Sequence, residues 1–280
     1  MGTIEQMIVN QVNSLDKLNS CSTEDLKAEL LQLTQERDKD PISKKVRFYE
    51  AELAPIFEEL SRRNPFPKAE EQIPLILGVW SPVWSTTPFH DIIPGRIREQ
   101  SYQIFHDDGY YANIARYVPG NGRSFLQKLS SILLAYDLIV IQKFEVTNGQ
   151  WFIQNVEIKQ AFRLSGIPLD IDRAEGWFTK ILQSNPKLSG QKADFLKAPE
   201  LENLDKSTAK KLKTTFLTKP QFEHLYIDRD FRLVKTQREP KQRPSYIIAV
   251  RKQSSLAYRI LVNETGDSKG LVLILCYNFW

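Results

Sequence analysis

From about Leu75 the apolar residues of the chain change from helical spacing to alternation. Before that point they recur every three or four positions, and after it they recur every second position. Only one short helical stretch, Ala174–Gln183, is predicted between the later strand-type segments. That order excludes a parallel sheet built from β-α-β units and favours N-terminal helices followed by an antiparallel β domain.

The predicted strands follow one another at the spacing of a meander. Asp107-Asp108-Gly109 marks one turn, and Asn148-Gly149 is a strong signal for a two-residue hairpin. About eight antiparallel strands close a barrel wide enough for one small ligand. We therefore predict a mainly β, lipocalin-like antiparallel β-barrel, closed by the last strand. The predicted strands are 75–87, 97–106, 110–118, 133–147, 151–164, 222–235, 246–251, 256–262 and 271–279.

Helix signals divide the chain into an N-terminal helical segment, 1–66, and a barrel domain, 67–280, with an insert at about 170–218. Helices are predicted from Thr3, from Ser22 and from Asp40-Pro41, where capping side chains or a proline suit the first turn. Pro55 is expected to kink the third helix, because it removes an amide donor.

The charge divides near the same boundary. Residues 1–72 carry 10 basic and 14 acidic side chains, net −4, whereas the remainder carries 28 and 20, net +8. Two basic runs, 187–213 and 235–243, contribute most of the excess. The second run has no interleaved aromatic residues, which argues against nucleic acid as a partner. It is typical of a solvated loop, or of a contact with an anionic membrane surface.

Catalytic and metal signatures are missing from the sequence. It contains none of the common motifs for serine hydrolases, zinc proteases, nucleotide loops or dinucleotide folds. His106-Asp107-Asp108 is interpreted as a solvated hairpin tip rather than a metal site. Two cysteines, Cys21 and Cys276, rule out a disulfide scaffold. We expect a protein without catalytic residues, metal or cofactor.

Candidate ligand-binding residues come from three short stretches. The first predicted strand carries Trp80 and Trp84, and the next two carry Tyr102 and Asn113. A later stretch places Tyr226, Asp228 and Arg232 two or four positions apart, so that in one strand they share a face. A structural ion pair between Asp228 and Arg232 is favoured over a ligand contact.

Several of these stretches are similar to motifs of the plastid lipid-associated protein family, the fibrillins of chloroplasts and cyanobacteria. The family's Leu-Glu-x-x-Asn-Pro helix end is similar to Leu60–Pro65, and its Gly-x-Trp strand is similar to Leu77–Trp80 followed by Trp84–Thr86. Its closing Tyr-Leu-Asp-x-Asp-Leu-Arg-Ile corresponds to Tyr226–Leu233. The resemblance spans about residues 45–251. Pro82 stands where the family has an aliphatic strand residue, so the chain resembles a divergent member. The lack of a transit peptide favours a cyanobacterial protein over a plant precursor.

The resemblance implies a barrel that binds a lipid, quinone or carotenoid in photosynthetic organisms. Trp80, Trp84 and Tyr226 would line or cap the cup, and Asp228 and Arg232 would supply its polar element. The expected location is cytoplasmic and peripheral to the thylakoid membrane, or plastidial in a eukaryote, because no transit peptide precedes the first helix.

Two other classes of function stay open. In the first, residues 1–63 dock a protein partner of the photosynthetic apparatus, and the barrel is a closed core. In the second, the barrel is a calycin-type chromophore lyase, for which Asp228, Glu157 and Tyr226 are the candidate reactive groups.

Overall fold

The structure, a computed structural model, describes residues 18–87, 96–119, 134–164, 166–184, 221–237 and 241–253. Its helices are α1 (Thr23–Thr34), α2 (Ile42–Phe48), α3 (Ala54–Arg62), α4 (Ala69–Ile76) and α5 (Ile171–Ser184). A 3-10 turn (Arg37–Lys39) and a π-helical turn (Tyr49–Leu53) lie between them. The helix predicted from Thr3 falls outside the described residues, as do the first basic run, 187–213, and positions 238–240 of the second.

Local signals explain where these helices begin. Ser22 caps α1: its hydroxyl accepts a hydrogen bond from the Asp25 amide at 3.1 Å, and the Asp25 carboxylate accepts one from the Ser22 amide at 3.2 Å. Pro55 lies in the first turn of α3, directly after the π-helical turn. In place of a kinked helix, the structure has a π-helical turn followed by a new helix. In the first turn of that helix a proline costs no hydrogen bond, because the missing amide would have no intrahelical acceptor.

Eight strands form a closed antiparallel barrel in which each strand pairs with the next and β1 pairs with β8. The predicted lipocalin-like barrel with N-terminal helices is confirmed. The strands are β1 (Gly78–Ser85), β2 (Arg96–Phe105), β3 (Tyr110–Pro119), β4 (Leu134–Thr147), β5 (Gln150–Leu164), β6 (Gln221–Ile227), β7 (Phe231–Gln237) and β8 (Ser245–Lys252).

Two details of the strand prediction are wrong. The stretch 222–235 forms two strands, β6 and β7, because the chain turns at 228–230. With that extra strand the barrel closes through β8, and 271–279 is not needed for closure. The predicted strands 256–262 and 271–279 lie outside the described residues.

The predicted turn at Asn148-Gly149 is confirmed by its backbone. Both residues have positive φ, +53° and +74°, and they join β4 to β5. This is the conformation of a two-residue type I′ turn, whose twist matches the twist of the strands. The hairpin and α4 lie at the same end of the barrel, since the Gly149 amide donates to a Glu70 carboxylate oxygen at 2.9 Å.

Helices cover the outside of the barrel on two sides. The apolar residues of α1 and α3 pack on Trp84, Tyr226, Phe231, Leu233 and Ile248, which belong to β1, β6, β7 and β8. Helix α5 packs on a second set from β1 to β4, namely Val79, Ile104, Ala112, Ile114, Ile139 and Ile141. The N-terminal helices therefore share one hydrophobic core with the outer face of the barrel.

Helix α4 closes one end of the barrel, called here the closed end. Its Ala69 and Ile76 pack with residues from seven strands: Trp80, Phe105, Tyr111, Phe144, Trp151, Ile153, Ile227 and Ala249. Side chains from so many strands of one barrel meet only in its interior. The opposite end, where Leu164 of β5 pairs with Leu134 of β4, is called the far end.

Candidate functional site

A chain of hydrogen-bonded amides crosses the barrel interior, and we call it the polar belt. The Gln103 amide nitrogen donates to the Asn113 oxygen at 2.7 Å, and the Asn113 nitrogen donates to Gln142 at 2.5 Å. The Gln142 nitrogen donates in turn to Asn155 at 2.6 Å. At the other end Arg232 Nη2 donates to the Gln103 oxygen. The belt thus joins β7 to β2, β3, β4 and β5 through five side chains.

Arg232 is the one charged member of the belt. Its side chain is fully buried, and its guanidinium carbon lies 4.8 Å from the Trp80 ring centre and 4.9 Å from that of Phe105. The Nε and Nη1 atoms find no hydrogen-bond partner in the described part of the chain. Burial lowers the pKa of Arg232 to about 9, so the group still carries its charge at neutral pH.

Between the polar belt and the closed end lies a second group of polar side chains, centred on Gln72 of α4. The Trp151 indole only donates, so the Gln72 oxygen accepts from it, at 2.9 Å. That oxygen also lies 3.0 Å from His224 Nδ1, which must therefore carry the ring hydrogen. The His224 Nε2 lone pair is buried without a donor among the described residues. Burial and then the charge of Arg232 hold the pKa of His224 well below 6.5, which keeps it neutral.

The rest of the interior is mainly aromatic and aliphatic, apart from Gln160, whose oxygen accepts a hydrogen bond from the Tyr136 hydroxyl at 2.6 Å. On the closed-end side of the belt, the rings of Phe105 and Tyr111 stack with centres 4.5 Å apart. On the far-end side lies a buried cluster of Tyr117, Tyr136, Leu138 and Ile158, with Ala115 and Val140 packed against it. A polar belt between two apolar zones is suited to a molecule with one polar end and one apolar end.

The structure brings three of the seven predicted site residues together in the interior. Trp80 and Arg232 are in contact there, and Asn113 belongs to the belt. The other predicted residues are not part of this site. Trp84 and Tyr226 lie on the outer face under the N-terminal helices, and Tyr102 lies on the outer face under α5.

A β-bulge explains why Trp80 and Trp84 lie on opposite faces. The pairing of β1 with β8 shifts by one residue between Pro82 and Trp84. Such a shift turns every following side chain to the other face of the sheet. Trp84 thus packs on Leu26 and Leu30 of α1 instead of entering the barrel.

The predicted ion pair between Asp228 and Arg232 is wrong, and so is the shared face on which it depended. Asp228 lies in the turn that follows β6, whereas Arg232 lies in β7 and points inward. The Asp228 carboxylate instead accepts hydrogen bonds from Lys27 of α1 at 2.7 Å and from the Tyr226 hydroxyl at 2.8 Å. Its role in the structure is to fasten the helices to the barrel.

The site includes residues that the sequence argument did not select. The missed residues of the belt are Gln103, Gln142 and Asn155, and those of the closed end are Gln72, Tyr111, Trp151 and His224. The available signal was an amide side chain on the inward face of each of β2, β3, β4 and β5. One such residue is unremarkable in its own strand, and the belt becomes visible only when the strands are paired.

We compared the chain with models of known protein families and with curated proteins, and found no match to either. In the described part of the chain, no group of three or more His, Cys, Asp or Glu side chains is placed to hold a metal ion. No helix among the described residues combines the length and the apolarity that crossing a membrane would require.

Proposed function

We propose that this protein binds one hydrophobic small molecule inside the barrel, as expected for a divergent member of the plastid lipid-associated family. The candidate ligands are a lipid, a quinone or a carotenoid. The observation that supports this is the polar belt, in which two Arg232 nitrogens have no partner among the described residues, between two mainly apolar zones. Ligand sites of this type combine apolar walls with a few convergent polar groups.

The proposed function is non-catalytic. Four of the five belt residues carry amides, which donate and accept hydrogen bonds but do not exchange protons at neutral pH. All three residues suggested for a lyase lie at the outer face. Asp228 and Tyr226 are hydrogen-bonded there beside Lys27, and Glu157 forms an ion pair with Lys159 at 2.9 Å. The apolar residues of α1 and α3 are engaged with the barrel, which leaves their polar face for any partner of the helical segment.

Tryptophan fluorescence tests the proposal directly, because Trp80 and Trp151 are interior whereas Trp84 is not. Delipidated protein is titrated with a plastoquinone analogue, a carotenoid and a fatty acid. We expect at least one of them to quench the emission and to raise the melting temperature. The double variant Trp80→Phe/Trp151→Phe should lose most of the quenching, while Trp84→Phe should keep it. Absence of both quenching and stabilisation with every ligand would refute the proposal.

We further propose that the far end approaches an anionic membrane, as expected for a protein peripheral to the thylakoid. Three apolar side chains are unusually exposed there: Phe162 (45%), Leu164 (57%) and Ile167 (45%). Arg163, also exposed, provides positive charge beside them. Apolar contact combined with basic groups is the usual basis of peripheral membrane binding.

Phe152 offers a matched control for this surface. It is as exposed, at 48%, but it lies beside the Asn148-Gly149 hairpin at the closed end. Leu164→Asp should abolish co-flotation with vesicles containing phosphatidylglycerol, and Phe152→Asp should not. Equal loss in both variants, or no flotation of the unaltered protein, would contradict the proposed orientation.

A further inference from the structure

Arg232 differs from the other buried basic residues because it lacks a counter-charge. Among the described residues, the fully or largely buried cations are Lys27, Lys45, Arg116 and Arg232. The first three form ion pairs with carboxylates at 2.7, 3.4 and 2.7 Å. Arg232 forms no ion pair with any described residue, and within the described part of the chain its Nη2 donates to the Gln103 oxygen.

Neutral neighbours do not replace that missing charge. The Trp80 and Phe105 rings attract a cation, but they do not neutralise it. A guanidinium has five N–H donors, of which the Nε donor and both Nη1 donors are without partners among the described residues. A buried charge in this condition is costly unless an anion joins it.

The nearby groups limit how much negative charge the site can balance. Arg251 also lies against Trp80, at 4.2 Å, but its guanidinium donates to the backbone carbonyls of Leu75, Leu77 and Arg229. His224 is neutral and adds no positive charge. One free guanidinium therefore matches one negative charge, as on a carboxylate, better than the several charges of a diphosphate.

We propose that the molecule bound in the barrel is a long-chain carboxylate whose headgroup is seated on Nε and Nη1 of Arg232. This inference depends on the proposed function, because it specifies which class of hydrophobic ligand the barrel accepts. The closed end is filled by aromatic side chains and by α4. The apolar tail therefore extends toward the far end, along Tyr136, Leu138 and Ile158.

The test compares two ligands that share a tail and differ only in the charge of the head. Delipidated protein is titrated at pH 7.5 with palmitate and with hexadecanol. Palmitate should bind about 10- to 100-fold more tightly, as expected for hydrogen bonds between charged groups. Arg232→Met should reduce this preference to less than about threefold, whereas Arg47→Met, at an exposed position of α2, should leave it intact.

A second measurement uses the unaltered protein and does not depend on how the variant folds. The carboxyl carbon of ¹³C-labelled palmitate reports its ionisation by NMR. When bound beside Arg232 it should remain ionised at least one pH unit below the titration of the same fatty acid in vesicles. If the bound carboxyl group titrates at the same pH as in vesicles, the proposed contact between the carboxylate and Arg232 is wrong.

The outcomes separate the two proposals. If palmitate and hexadecanol bind equally, or if Arg232→Met keeps the preference, the barrel binds hydrophobic molecules but the carboxylate inference is wrong. If palmitate, hexadecanol, the quinone and the carotenoid all fail to bind, the proposed function itself falls. A palmitate preference that disappears in Arg232→Met supports both.

Discussion

Replacing Arg232 by Met should stabilise the protein when no ligand is bound. The pKa of the guanidinium is lowered from 12.5 to about 9 by burial, and this difference corresponds to about 5 kcal/mol against the charged form. Removal of the charge also forfeits its contacts with Trp80 and Phe105, about 1–2 kcal/mol together. It leaves the Gln103 oxygen without this donor, which costs about 1 kcal/mol more. The net expectation is a gain of about 2 kcal/mol, within the range of buried-charge replacements.

The assay is urea unfolding of delipidated protein, followed by circular dichroism. Arg116→Met provides a control with the opposite sign, because Arg116 pairs with Asp137 and both side chains are 2% exposed. Its loss leaves a buried carboxylate unpaired and should cost about 3–5 kcal/mol. If Arg232→Met is destabilising to a similar extent, Arg232 has a counter-charge within the fold and the reasoning above is refuted. With palmitate present the stability advantage of Arg232→Met should shrink, since the unaltered protein binds palmitate more tightly than the variant does.

Three further changes probe the charged groups of the fold. His224 has its folded-state pKa well below 6.5, so the unfolded chain takes up a proton first as the pH falls. Below pH 6.5 the free energy of unfolding should therefore fall by up to about 1.4 kcal/mol per pH unit. In His224→Gln the urea midpoint should depend less on pH between pH 7 and 5 than it does in the unaltered protein. The same pH dependence in both proteins would contradict this. Lys27→Met and Asp228→Asn should each cost about 1–2 kcal/mol, and a double-mutant cycle by urea unfolding should give a coupling near 1 kcal/mol rather than zero. Asp137→Asn should lower the free energy of unfolding by about 3–5 kcal/mol, because it leaves Arg116 buried without its counter-charge. The double variant Arg116→Met/Asp137→Leu removes both charges, and its free energy of unfolding should lie within about 1 kcal/mol of that of the unaltered protein. Equal losses in the single and double variants would contradict this.

Local signals were sufficient for the architecture. Alternation from Leu75 onward and the Asn148-Gly149 turn together predict an antiparallel meander, and the structure closes it into a barrel. The Ser22 cap likewise predicts the start of α1. These features depend on residues that are close in sequence, where spacing and conformational preference determine the outcome.

The interior could not be predicted in the same way. The turn at 228–230 is hidden within the strand-like run Tyr226–Leu233, and it moves Arg232 to the face opposite Tyr226. The shift at Pro82 similarly sends Trp84 outward. Each displaces a side chain by one position, which in a strand reverses its face. The belt itself depends on the pairing of separate strands, which no single stretch of sequence encodes.

The contact between α1 and the β6–β7 turn has a consequence for how the chain is made. Lys27 and its partner Asp228 are 201 residues apart. At a synthesis rate of about 5–20 residues per second, α1 leaves the ribosome about 10–40 s before its docking surface is complete. During that interval β6, β7 and β8, which help to bury Leu26 and Leu30 in the finished protein, are still missing. Helix α1 is thus synthesised well before the strands that secure it, and this makes it a natural client of nascent-chain chaperones.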